Sequence, residues 1–257
     1  MRIAIKIGTS TLTHKSGSLN IRHVEELCKV MSDLKNAGHE IILISSGAIG
    51  MGVGKLGLKE RPSDMPTKQA AAAVGQCELM YVYDKYFSEY GHTVAQILLT
   101  GNDLDDTERS ANFRNTVDRL LEMKALPIIN ENDTISTDEI AVGDNDTLAA
   151  IVTVDVKADL LILLTDIDGL YTSDPKKDKT ATVIKKVEEI DDYILSLGGS
   201  AGSQLGVGGM HTKLNAAKIC MDNGIDMVIA DGSEPTVLYD IEEGKSVGTY
   251  FTGGKRQ

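Results

Sequence analysis

Short apolar runs alternate with longer amphipathic stretches along almost the whole chain, and that alternation decides the fold class before any single residue is considered. Runs at 3–7, 40–44, 93–99, 126–129, 160–164 and 227–230 are short and rich in Ile, Leu and Val. Nearly unbroken apolar runs of this length read as strands buried on both faces. Helical patterns occupy 21–36, 67–90, 108–124, 146–156 and 210–223, and Gly38 and Gly224 stand where a left-handed residue ends a helix. Strand-helix alternation predicts an α/β fold with a mainly parallel sheet. Two segments interrupt it. A small hairpin is expected over 135–142, and 178–209 mixes a short strand, a short helix and a glycine-rich loop. The simplest organisation is one continuous domain over 1–257 with two lobes.

The formal net charge of -12 argues against a nucleic-acid partner, because phosphate backbones are met by an excess of Lys and Arg. It leaves room for a small phosphorylated ligand, which needs only a few local cations. The longest apolar run is far too short to span a bilayer, and a strand pattern begins at Met1 without the anatomy of a signal peptide. Three widely spaced cysteines, Cys28, Cys77 and Cys220, have neither disulfide nor metal-site spacing. A cytoplasmic protein without a membrane partner is expected.

Several motifs could carry chemistry. Lys6 lies near the end of the first strand, on the face opposite Ile3, Ile5 and Ile7, and leads into Gly8-Thr9-Ser10, a turn whose N–H groups can cradle an oxyanion. The second strand runs into Ser45-Ser46-Gly47, which offers hydroxyl and N–H groups to a ligand. Gly52-Val53-Gly54-Lys55-Leu56-Gly57 matches the dinucleotide fingerprint in letters only, since strand, glycines and helix do not follow in immediate succession. Gly244-Lys245-Ser246 ends like a phosphate loop, but Tyr239 stands where its leading glycine belongs.

Asn130-Glu131-Asn132-Asp133 and Gly143-Asp144-Asn145-Asp146 form two acidic, amide-rich clusters. One follows a strand and the other opens a helix, places suited to a small polar ligand in an open α/β sheet. Thr165-Asp166-Ile167-Asp168-Gly169 follows the most apolar strand and lacks the flanking helices and terminal Glu of a calcium loop. Val207-Gly208-Gly209-Met210-His211-Thr212-Lys213 runs from glycines into a helix N-terminus, a natural anion site. A lysine in that first turn opposes the helix dipole by roughly 0.3–1 kcal/mol, a cost that an anionic ligand would offset. The five histidines are scattered without metal or triad spacing.

Lysines at distant element ends, glycine-rich anion loops and placed carboxylates suit phosphoryl transfer, which needs charge and alignment more than covalent chemistry. On Lys6-Ile7-Gly8-Thr9-Ser10, Ser45 to Ile49, Lys68-Gln69-Ala70 to Val74-Gly75-Gln76, both amide-rich clusters, Leu164-Thr165-Asp166 with Gly169-Leu170-Tyr171, and Gly208-Gly209-Met210 with Thr212-Lys213, the chain resembles the amino acid kinase family. By this resemblance, the paired amide clusters separate it from the family's aspartate, carbamate, acetylglutamate and uridylate kinases.

The resemblance implies a three-layer sandwich with a central, mostly parallel sheet, and transfer from ATP, with Mg²⁺, to the γ-carboxylate of L-glutamate, as the first step towards proline. By the same resemblance, Lys6 and Lys213 would contact the ATP phosphates and Asp146 would hold both lysines. Ser46, Gly47, Asp133 and Asn145 would bind glutamate. Gly8, Thr165, Asp166, Val207, Gly208, Gly209, Met210, His211 and Thr212 would line the nucleotide site. No protein ligand of Mg²⁺ is assigned. A homo-oligomer (dimer or tetramer) and feedback by proline are implied, and the C-terminal RNA-modification-type (PUA) domain of longer members is expected to be absent. The alternatives are a family member acting on a different carboxylate or carbamate, and a non-catalytic amino-acid sensor.

Overall fold

The computed structural model describes residues 1–14, 18–136, 145–199 and 209–254. An eight-stranded sheet runs through them in the order β3-β4-β2-β1-β5-β7-β8-β6. Its strands are β1 (Arg2–Ile7), β2 (Glu40–Ser45), β3 (Val94–Leu99), β4 (Leu126–Glu131), β5 (Leu160–Thr165), β6 (Lys186–Val187), β7 (Asp226–Asp231) and β8 (Thr249–Phe251). β1 to β5 and β7 are mutually parallel, and β8 pairs antiparallel to β7 while running parallel to β6. The helices are α1 (Thr9–Leu12), α2 (Ile21–Asn36), α3 (Ala48–Leu56), α4 (Met65–Glu89), α5 (Gly101–Asp105), α6 (Thr107–Glu122), α7 (Asp146–Asp155), α8 (Asp192–Leu197), α9 (Met210–Asp222) and α10 (Val237–Glu242).

Strand alternation divides the core in two. Ile3, Ile5 and Ile7 of β1 pack with residues of α2, α4 and α10, while Ala4 packs on the other face with residues of α6, α7 and α9. Helices therefore cover both faces, the expected three-layer arrangement. β1 lies between β2 and β5, and the chain crosses from one side of β1 to the other after β4. Such a reversal point, at the carboxyl ends of parallel strands, is where open α/β sheets bind ligands.

Most predicted strands and helices lie within two residues of the observed ones, and four differences bear on function. β4 continues to Glu131, so Asn130 and Glu131 are strand residues rather than the start of a loop. The glycine-rich stretch after Ser46 is helix α3, capped by Gly47 in the left-handed conformation at φ 105°. β8 was not predicted, since three residues show no usable periodicity. The hairpin expected over 135–142 falls largely outside the described residues. Ile135, which is described, lies in a turn.

Candidate active site

β1 carries Lys6 to the carboxyl end of the sheet, in register with Ile44 of β2 and Leu163 of β5. Its ammonium is buried and donates to Asp146 Oδ1 at 2.6 Å. Lys213, in the first turn of α9, reaches the same carboxylate from the opposite side, Nζ to Oδ2 at 3.0 Å. Thr212 Oγ1 lies 3.1 Å from that oxygen. All three charged groups are strongly sequestered, with 9%, 5% and 1% exposure for Lys6, Lys213 and Asp146. Burying charges without partners is prohibitive, and this geometry meets the cost with short charge-assisted hydrogen bonds.

Burial acts to raise the Asp146 carboxyl, but the charges and hydrogen bonds of Lys6 and Lys213 overcome it and hold the group below the usual carboxylate range. Its place as the first residue of α7 adds the favourable end of a helix dipole. Two ammonium groups around one carboxylate carry a net positive charge, suited to a phosphate anion.

The residue before Asp146 opens a second, uncharged set of contacts. Asn145 Nδ2 donates to Ser46 Oγ at 2.8 Å and to Asn130 Oδ1 at 3.1 Å. Asn130 Oδ1 also accepts the Glu131 backbone N–H, and Asn130 Nδ2 donates to Gln76 Oε1 at 2.9 Å. Three buried atoms here, Gln76 Nε2, Asn145 Oδ1 and Asp133 Oδ1, have no hydrogen-bond partner among the described residues. Buried polar atoms are nearly always satisfied, so these exceptions, two of them on the same amide chain, are candidates for meeting a polar ligand. Burial, then the neighbouring Glu131 carboxylate, push the Asp133 carboxyl up to about 7, and the Arg61 guanidinium opposes them only in part.

The structure thus brings together Lys6, Asp146, Thr212 and Lys213, and joins them through Asn145 to Ser46. Gly8 stands beside the lysine, where an added Cβ would lie 4.0 Å from Lys6 Nζ. Thr165 ends β5, the neighbour of β1, Asp166 follows it, and the Thr165 hydroxyl donates to Asp166 Oδ1 at 3.2 Å. Gly209 caps α9 without a side-chain hydrogen bond, so the helix N-terminus keeps N–H groups for a ligand. His211 is exposed and contacts Asn215, and Met210 is half-buried. Val207 and Gly208 lie outside the described residues, as do Gly143 and Asp144. Asp168 and Gly169 are structural: Asp168 accepts from the Tyr171 hydroxyl, and a Cβ on Gly169 would stand 2.6 Å from Thr249 Oγ1. Gly244, at φ 73°, only turns the chain after α10. Gln76 is the site residue that sequence patterning missed, because its glutamine sits in a long helix whose other side chains pack or face solvent.

A family model described as the amino acid kinase family matches residues 1–231. The chain belongs to the amino acid kinase family. Within it, a glutamate 5-kinase of Clostridium tetani is 54% identical over 253 residues, 98% of this chain and 95% of the relative. A glutamate 5-kinase of Clostridium perfringens is 52% identical, covering 99% and 96%. Among solved structures, carbamate kinase from Giardia lamblia bound to AMP-PNP superposes with a TM-score of 0.70 at 15% identity, covering 98% of each chain. UMP kinase from Bacillus anthracis does so at 0.64 and 16% identity, covering 99% of this chain and 96% of that one. These distant likenesses support the fold of an amino acid kinase, with its mostly parallel sheet between helical layers. No helix among the described residues is long and apolar enough to cross a membrane.

Proposed function

We propose that this amino acid kinase transfers the γ-phosphoryl group of ATP to the γ-carboxylate of L-glutamate, forming an acyl phosphate and ADP. The observation that carries the reading is the continuity of the site. Asp146, clamped between two buried lysines, follows directly in the chain on Asn145, which opens the buried amide chain through Asn130 to Gln76. Half-identity to glutamate 5-kinases over nearly the full chain supports the same choice of acceptor.

In this reading the nucleotide phosphates lie between Lys6 and the N-terminus of α9, with Lys213, Thr212 and Gly209 beside them and Gly8, Thr165 and Asp166 lining the approach. A glutamate carboxylate is already ionised at neutral pH and needs no general base. One of its oxygens attacks the γ-phosphorus as the bond to the bridging oxygen of ADP breaks. Lys6 and Lys213 stabilise charge on the moving phosphoryl oxygens, and Asp146 fixes where both ammonium groups point. Asp133 accepts the substrate's α-ammonium, and Ser46, Gly47 and Asn145 position its body. Mg²⁺ would neutralise phosphate charge. No group of three potential metal ligands occurs among the described residues, so the ion would be held chiefly by nucleotide oxygens and water.

Purified protein with Mg-ATP, L-glutamate and hydroxylamine tests the reading. The expected result is γ-glutamyl hydroxamate in step with ADP release. Turnover confined to another acceptor, or none with any, would overturn it.

A further inference from the structure

The amide chain Gln76–Asn130–Asn145 has a direction, and its ends differ. Amide oxygens and nitrogens are assigned from hydrogen-bond logic, and here one backbone group decides the whole chain. The Glu131 N–H can only donate, so the Asn130 atom that it meets at 2.9 Å is the oxygen. The other Asn130 atom is therefore a donor, and the Gln76 atom that it meets at 2.9 Å is the carbonyl oxygen. Gln76 is left with a free N–H donor, Nε2, and Asn145, donating through Nδ2, with a free acceptor, Oδ1.

The chain of amides also closes on one corner of the fold. At one end, Asn145 holds Ser46, which precedes the Gly47 cap of α3. At the other, α4 touches the first turn of α3 backbone to backbone. A Cβ on Gly75 would lie 1.7 Å from Ala48 O and 2.4 Å from Gly52 N. Gln76, the next residue, is only 8% exposed, and its Nε2 has no hydrogen-bond partner among the described residues, while the N-terminus of α3 has no side-chain cap. The first N–H groups of a helix need acceptors from outside it, and an anion supplies them.

We propose that Gln76 is a substrate-reading residue, donating through Nε2 to the α-carboxylate of the acceptor amino acid at the N-terminus of α3. The assignment rests on the glutamate reading above. It matches the ligand's own polarity, because a carboxylate needs donors and an ammonium needs acceptors. Gln76 Nε2 supplies the first, and Asp133 Oδ1 and Asn145 Oδ1 the second. The amide chain also gives the ends of the substrate their order. Asn145 adjoins the lysine clamp and Gln76 is two amides away, so the α-carboxylate lies at the end remote from phosphoryl transfer.

The test compares L-glutamate with L-isoglutamine, in which the α-carboxylate becomes a carboxamide and the reacting γ-carboxylate is kept. Wild-type protein is measured with both, alongside Gln76→Glu, which keeps an acceptor for Asn130 while replacing the donor. Loss of a hydrogen bond to a charged group corresponds to about 10- to 100-fold. The wild type should prefer glutamate by at least that factor. Gln76→Glu should lose affinity for glutamate with the KM for ATP unchanged, and its preference over isoglutamine should shrink at least tenfold, because the new carboxylate can accept from the ligand's carboxamide. An unchanged preference in a folded Gln76→Glu protein sinks the proposal, as does an equal loss for both ligands, which is what a merely structural role predicts. Should that variant fail to fold, Gln76→Ala must narrow the preference too, though by less because it offers the carboxamide no acceptor, and an unchanged preference counts equally against the proposal. A wild type inactive on glutamate would instead sink the functional reading on which this one rests.

Discussion

Single residues carry opposite electrostatic burdens at the two ends of this site. At the clamp, a carboxylate is held ionised by two lysines, and under the proposed mechanism removing either ammonium takes away charge directed at the moving phosphoryl group. Lys6→Ala and Lys213→Ala should each lower kcat by about 10²–10³, the range for loss of one preorganised transition-state donor. Steady-state kinetics at saturating ATP and glutamate checks this, and near-wild-type turnover in both would remove them from the mechanism. At the far end, Asp133 is raised from 3.8 to about 7 by burial and by Glu131. Its folded form thus holds a proton that the unfolded chain has lost, and stability falls as pH rises through that window. Asp133→Asn should match wild type near pH 4 and exceed it progressively up to pH 8, by on the order of 4 kcal/mol. Chemical denaturation at the two pH values reads the difference, and a gain largest at acid pH would contradict the sign. The wild-type KM for glutamate should climb below pH 7, as the acceptor for the α-ammonium becomes protonated.

Elements were legible where their physics is local. The five inner strands of the six longer ones announce themselves because burial on both faces demands unbroken apolar runs. β3 at the sheet edge is apolar but only half-buried, and α2 and α6 show an apolar stripe. α3 did not announce itself. Its glycines depress helix propensity and read as a ligand loop, yet they serve a contact made elsewhere in the chain. A Cβ on Gly52 would lie 1.8 Å from Ala71 O, and one on Gly75 1.7 Å from Ala48 O. These two glycines let α3 and α4 meet at backbone distance, which no pattern inside α3 could reveal. Gly75→Ala should therefore destabilise by at least the 1–3 kcal/mol typical of overpacking. Because α3 starts at Gly47, the displacement should also raise the KM for glutamate more than that for ATP. Thermal melts with paired KM values decide it. A variant as stable as wild type would mean that the helices separate without cost.

Across the whole molecule, the site joins Lys6 of β1, Asp146 of α7 and Lys213 of α9, residues that become neighbours only through the parallel sheet and its reversal about β1. The sequence offered these residues as separate motifs, and the family resemblance grouped them. The direction of the amide chain stayed hidden because one backbone N–H in β4 sets it. The N-terminus of α7 is the joint between the halves, with Asn145 turned to Ser46 and Asn130, and Asp146 to the lysines. Binding in each half should then be separable, whereas transfer should need both. A ligand at 100 times its Kd stabilises by about 2.7 kcal/mol, several degrees for a chain of this size at about 2–4 °C per kcal/mol. Lys213→Ala should lose most of the stabilisation by AMP-PNP and keep that by glutamate, and Asn145→Ala should do the reverse. Asp146→Asn leaves both ammonium groups in place, so both ligands should still stabilise it while turnover collapses for want of alignment. Thermal shifts of the three variants, each with either ligand, distinguish this arrangement from a single indivisible pocket, in which every substitution would weaken both responses together.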